Sequence, residues 1–182
     1  MIMPNFIQCF PVFHRWSQCK YKVKTITGEM KSDEKTYTGT GPLEYNLNAL
    51  NNILSINDNW TISNIYNGNF LFLGSGKTNP TLDDYTLQSP INYNENGLHV
   101  ISLNQNLKTD YKIFKSFNLT VRNNGTDPIE VSEIGWFAAW ASDGSYSQNS
   151  NWIRTMFARE VFDTITLQPN EIRTFTMNIR IN

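Results

Sequence analysis

The sequence predicts a mainly β protein: an antiparallel, Greek-key or jelly-roll-like β-sandwich with one short helix and an N-terminal arm. Three observations predict it. Apolar and polar residues alternate at period two in several short runs, most cleanly in "RTFTMNIRI" at 173–181. Turn-forming clusters such as "NNGTDP" at 123–128 separate those runs. Only one stretch carries helical spacing. Many short strands with turn chemistry between them bury their apolar faces most simply as two packed antiparallel sheets.

Residues 1–19 form the arm. They carry Phe6, Phe10, Phe13 and Trp16 between Pro4 and Pro11, which prevent a regular helix or a central strand. An aromatic segment of this kind needs a cover, from the rest of the chain or from a neighbouring subunit. Residues 20–182 form a single domain. "KYKVKTIT" at 20–27 alternates as a strand, with Lys20, Lys22 and Lys24 on its wet face. "GEMKSDEKTYTGTG" at 28–41 is a polar connection. In 42–54, Leu43, Leu47, Leu50 and Leu54 recur on one helical face behind Pro42, so this is the helix. The chain then turns to strands. The run 60–74 divides at the turn pair Asn67-Gly68. "GLHVISLN" at 97–104 is a strand, and Phe117, Leu119 and Val121 alternate in the next. A polar loop, 142–151, separates Trp140 from Trp152. The strand 153–168 and the turn at Pro169-Asn170 lead to the last strand.

The chain of 182 residues is 40% hydrophobic and only 17% charged, with a net charge of −1. That suits one domain with a real core. No basic field exists to hold a nucleic-acid backbone. No apolar run reaches the length of a membrane-spanning helix, and the Pro-broken start lacks the pattern of a signal peptide. Cys9, Cys19 and His14 are too few and too loosely spaced for a zinc centre, so neither a metal nor a cofactor is expected. Two histidines and no nucleophile motif give no catalytic signature.

"LFLGSGKTNP" at 71–80 ends like a phosphate-binding loop. That loop requires a glycine five residues before Gly76, where Leu71 stands, and a helix directly after the Lys-Thr pair, where Asn79-Pro80 stands. We read the stretch as a strand end closed by Gly74 and Gly76. Leu82, Tyr85 and Leu87 are expected to anchor the loop on the core, and Asp84 to cap its own turn.

Three blocks carry a resemblance: Leu73-Gly74-x-Gly76-x-x-x-Pro80 followed by Asp84-Tyr85-x-Leu87, then "EIGWF" at 133–137, then "FAREVFDTITLQPNEIRTFTMNIRI" at 157–181. In content and order they resemble tailed-bacteriophage virion structural proteins over about residues 60–182. The first 60 residues show no such match. The family has glycine after the proline of the last turn; here Asn170 stands there, the residue that best tolerates the left-handed conformation after glycine. The resemblance implies a non-enzymatic component of the virion that docks or oligomerises on head, connector or tail. It implies other virion proteins and copies of itself as partners.

Few residues stand out as interaction candidates. Besides the arm aromatics, Trp140, Tyr146 and Trp152 flank or sit in the polar loop. They suit the core, a subunit interface, or a cell-surface glycan stacked on aromatic faces. The glycan reading makes the chain a carbohydrate-binding, host-adhesion module of a phage fibre. Arg159 shares a strand face with Phe157 and Val161. We expect an ordinary surface arginine there, with an ion pair to Glu133 or between subunits as the alternative. Gly135 is expected where backbone must approach a bulky neighbour.

Overall fold

The computed structural model describes residues 18–36, 68–106, 115–141 and 152–179. All regular structure among them is β: β1 (Gln18–Lys24), β2 (Met30–Thr36), β3 (Gly68–Gly74), β4 (Leu98–Asn106), β5 (Lys115–Asn123), β6 (Ile129–Ala141), β7 (Trp152–Leu167) and β8 (Ile172–Ile179). The described part of the chain is thus all β in its regular structure, with the named strands pairing antiparallel. The helix expected at 42–54 and the arm aromatics Phe6, Phe10, Phe13 and Trp16 lie outside the described residues.

Two three-stranded sheets form the body, in the orders β3-β6-β7 and β4-β5-β8, and β1 pairs with β2 as a separate hairpin. The second sheet follows the alternation of its sequence. Leu98, Val100, Phe117, Leu119, Val121, Phe175 and Met177 are buried, while Thr174, Thr176 and Asn178 are exposed. On the wet face, Thr120 and Thr174 share a hydrogen bond of 2.9 Å, and the Thr176 hydroxyl donates to Asn118 Oδ1 at 2.8 Å. Such cross-strand pairs tie adjacent strands together.

The first sheet obeys another rule. Phe70, Leu71, Phe72 and Leu73 are all buried, as are the six consecutive positions 132–137. A strand covered on both faces has no reason to alternate. On one face Trp136 meets Phe117 of the second sheet at 5.2 Å between ring centroids and Phe157 at 5.1 Å. On the other face Phe72 stacks on Tyr93 at 5.1 Å and meets Phe137 edge-on at 5.7 Å. Tyr93 belongs to the segment after β3, which folds back over this sheet. Gly135 fits the expected close approach: a Cβ there would lie 2.7 Å from the Phe137 ring and 2.8 Å from Leu87.

Tyr93 also closes a sheet edge. Its hydroxyl accepts from Leu73 N–H at 2.9 Å and donates to Leu71 O at 3.0 Å. Ile91 N–H donates to Leu73 O at 2.9 Å, and Ser75 N–H to Ser89 O at 2.9 Å. The open side of β3 is therefore satisfied from inside the chain, which removes a template for stray pairing. Burial pushes the Tyr93 hydroxyl well above the usual tyrosine pKa, so it stays protonated and can serve as donor.

Two readings need correction. The polar stretch 28–41 contains β2, which pairs with β1 from Gln18↔Thr36 to Lys24↔Met30. Its charged residues gave no apolar period to read. The turn between the strands has Gly28 at φ 81°, a conformation suited to glycine. Gly68 is a strand residue, paired with Ala139 in β6. Asn170 does adopt the left-handed conformation, at φ 66°. Its N–H donates to Asn123 O at 2.7 Å, and its side chain accepts from Arg122 Nη2 at 3.0 Å.

Trp136 joins β6, β7 and the second sheet. Trp136→Ala is expected to cost about 3–5 kcal/mol of unfolding free energy, read as a lower urea midpoint with little change in slope.

Candidate functional site

The Gly-Ser-Gly-Lys-Thr loop does embrace an anion, and the anion is the protein's own. Glu133 lies in β6, directly opposite Gly74 of β3. Its side chain is fully buried. Oε1 accepts from Gly76 N–H at 3.1 Å and Ser89 N–H at 2.8 Å, and Oε2 accepts from Gln88 N–H at 3.1 Å. One carboxylate thereby staples both ends of the loop between β3 and Pro90.

The glycines exist to admit this carboxylate. A Cβ on Gly74 would overlap Glu133 Oε1, and one on Gly76 would come within 2.6 Å of it. Ser132, the neighbour of Glu133, adds a second fastening: its hydroxyl donates to Gly76 O at 3.0 Å. The rest of the loop is bonded as well. Gln88 Oε1 accepts from Lys77 N–H, Thr78 N–H and the Thr78 hydroxyl, at 2.9, 3.0 and 3.0 Å. The N–H groups that a nucleotide phosphate would need are thus already bonded. Lys77 points outward, 3.8 Å from Glu130.

Charge balance comes from β7. Arg159, with a side chain only 2% exposed, places Nε 2.9 Å and Nη2 2.8 Å from Glu133 Oε2. Nη1 donates to Asp84 Oδ2 at 2.6 Å. The guanidinium therefore bridges carboxylates from two separate elements, and the expectation of a surface arginine is corrected. Its strand position let it face either way; the buried carboxylate opposite decides for inward.

Asp84 caps its own turn, accepting from Thr81 N–H at 3.0 Å and the Thr81 hydroxyl at 2.9 Å. Burial by itself would raise its pKa. The Thr81 N–H, the Arg159 hydrogen bond, the Thr81 hydroxyl and the Arg159 charge together outweigh burial and hold the carboxyl below its ordinary value. Of the expected loop anchors, Leu87 is buried and Tyr85 half-buried, but Leu82 is 63% exposed. It projects from the turn that Asp84 already fixes, so anchoring there is polar rather than apolar.

Of the other interaction candidates, only Trp140 and Trp152 lie among the described residues. Trp140 and Trp152 stand on β6 and β7 at the end that leads into 142–151, paired with Ile153 and Ala141. Tyr146 lies outside the described residues. Glu133 was offered only as the alternative partner of Arg159, which the structure shows it to be, and Gln88 and Tyr93 went unrecognised. One signal was present: a lone glutamate inside the apolar run "VSEIGWF" must be buried, and a buried carboxylate needs donors.

Among the described residues, no cluster of His, Cys, Asp and Glu is arranged to hold a metal ion, and no helix is long and apolar enough to cross a membrane. No protein-family model, curated protein or solved structure matches the chain.

Three outcomes follow from the geometry. Glu133→Gln should destabilise by about 3–5 kcal/mol, since it removes the fully buried counter-charge of a buried guanidinium and leaves only the part-exposed Asp84 to balance it. In a cycle with Arg159→Met, the double variant should be more stable than the two single losses added together, by more than about 1 kcal/mol in urea unfolding. ATP or GTP at millimolar concentration should leave the melting temperature unchanged, because the loop has no open cradle to offer.

Proposed function

We propose that the protein is a structural component of a tailed-phage virion, docking or oligomerising on head, connector or tail. One observation carries the reading. The three sequence blocks that resemble virion proteins are far apart in the chain, yet they meet at one buried centre. The first supplies Gly74, Gly76 and Asp84, the second Glu133 and Gly135, and the third Arg159. Blocks that meet in this way are a fold-defining set, as a family signature should be.

The same reading gives the finer architecture, a Greek-key sandwich. Its support is the contact of Trp136 with Phe117 between the sheets, and a chain that changes sheet at β3–β4, β5–β6 and β7–β8. A small, stable β body with an aromatic N-terminal arm suits assembly: an arm crossing to the next copy ties a ring or lattice with little added mass. No catalytic role is assigned to Glu133 and Asp84, because their oxygens are already bonded to the loop and to Arg159.

The test compares the full chain with one lacking residues 1–17, by melting curve, light-scattering mass and electron microscopy. The full chain should form a discrete oligomer or bind virion particles. The truncated chain should melt cooperatively as a soluble β domain and fail to assemble. Equal assembly by both, or a full chain that is monomeric and ignores virion particles, defeats the proposal.

A further inference from the structure

The β1–β2 hairpin rests on the Asp84 turn, and that turn rests on the buried ion pair. At the hairpin end, Lys24 Nζ donates to Asp83 O at 3.2 Å and lies 4.8 Å from the centre of the Tyr85 ring. Gly28 presses on the same ring, where a Cβ would lie 3.3 Å from Tyr85 Cζ. The turn is internally closed: Thr25 N–H donates to Glu29 O and Gly28 N–H to Thr25 O, each at 2.8 Å. Thr25 is buried and Ile26 packs on the core. At the other end, Asp84 is held by Arg159, and Arg159 by Glu133. Ile26 N–H also donates to Arg154 O at 3.0 Å, on the strand that carries Arg159.

A two-stranded ribbon is marginal on its own, so its order depends on what its base sits upon. Part of that base is the direct seat of Ile26 on the core and on Arg154 O; the rest is a short irregular segment, 81–85, whose exposed residues contribute little apolar packing. The Asp84–Arg159 bond, with the Thr81 bonds, is what keeps that segment in place. We propose that residues 81–85 form a coupling turn, through which the position of the β1–β2 hairpin and the buried Arg159–Glu133 pair constrain each other. The device would pass a displacement of the hairpin to the first sheet. It does not depend on the virion reading, since coupling within one chain is measurable at any oligomeric state.

Coupling free energy is reciprocal, so the test runs in both directions. Hydrogen exchange is followed on the full chain. In Asp84→Ala, the Thr25 and Gly28 amides should exchange about tenfold faster or more, while the β5–β8 amides keep their wild-type rates. In Lys24→Ala/Tyr85→Ala, the Asp84 amide, which donates to Thr81 O at 3.3 Å, should exchange faster, again with β5–β8 unchanged. Unchanged hairpin amides in the first variant, or an unchanged Asp84 amide in the second, overturn the proposal. So does an equal acceleration everywhere, which would make the ion pair a global stabiliser only. Should Asp84→Ala fail to fold, the second variant decides alone.

Discussion

A single buried carboxylate sets the constraints for this half of the molecule. Burying an ionised glutamate costs several kcal/mol unless donors surround it. Glu133 has three backbone N–H groups and a guanidinium around it. Those donors come from places the chain must bring together: Gly76 just after β3, Gln88 and Ser89 at the far end of the loop, and Arg159 on β7. Satisfying one side chain therefore closes a loop, fixes its two ends against β6, and selects the inward orientation of an arginine.

The consequences reach the core. With its ends fastened, the loop delivers Leu87 and then Tyr93 onto the face of the first sheet that points away from the second. Leu87 meets the bare backbone at Gly135, and Tyr93 stacks on Phe72. That face becomes a second apolar layer. The Tyr93 hydroxyl then finishes the open side of β3 by bonding Leu71 and Leu73. A polar constraint at Glu133 thus permits β3 and the middle of β6 to be dry on both sides.

This explains what could be read from the sequence and what could not. The second sheet keeps one face wet, so Phe117, Leu119 and Val121, and Phe175 and Met177, announce themselves by period two. The crowded Gly135 was legible from local chemistry, and the left-handed Asn170 from the glycine that the resemblance puts at that turn. β3 and the middle of β6 are dry on both faces, so they show apolar runs without alternation, and their facing had to come from three dimensions. β2 was invisible because its residues are charged and carry no apolar period. The centre itself was half legible. Gly74, Gly76 and Arg159 each drew attention, and the Arg159–Glu133 pair stood as an alternative, but only the fold shows that the two glycines answer to the same glutamate. A loop built to hold an anion looks alike whether the anion is a phosphate or a side chain.

Why the centre is ionic at all follows from the backbone. Replacing a buried ion pair by apolar residues is often neutral or stabilising when only the side chains are at stake. Here they are not alone. Gly76, Gln88 and Ser89 present N–H groups toward the sheet, and an unsatisfied buried N–H costs about 1–3 kcal/mol. An acceptor must stand at position 133. A carboxylate can take all three and still face a cation. That cation must reach a second carboxylate, Asp84, which holds the turn under the hairpin. A lysine offers one point of charge. The planar fork of arginine donates Nε–H to Glu133 and Nη1–H to Asp84, with Nη2 in ion-pair contact with Glu133. Lys at 159 would keep the charge and lose the bridge. The residue types at 84, 133 and 159 therefore follow from one geometric demand: a loop that must be held at both ends and in the middle from the same side of one sheet.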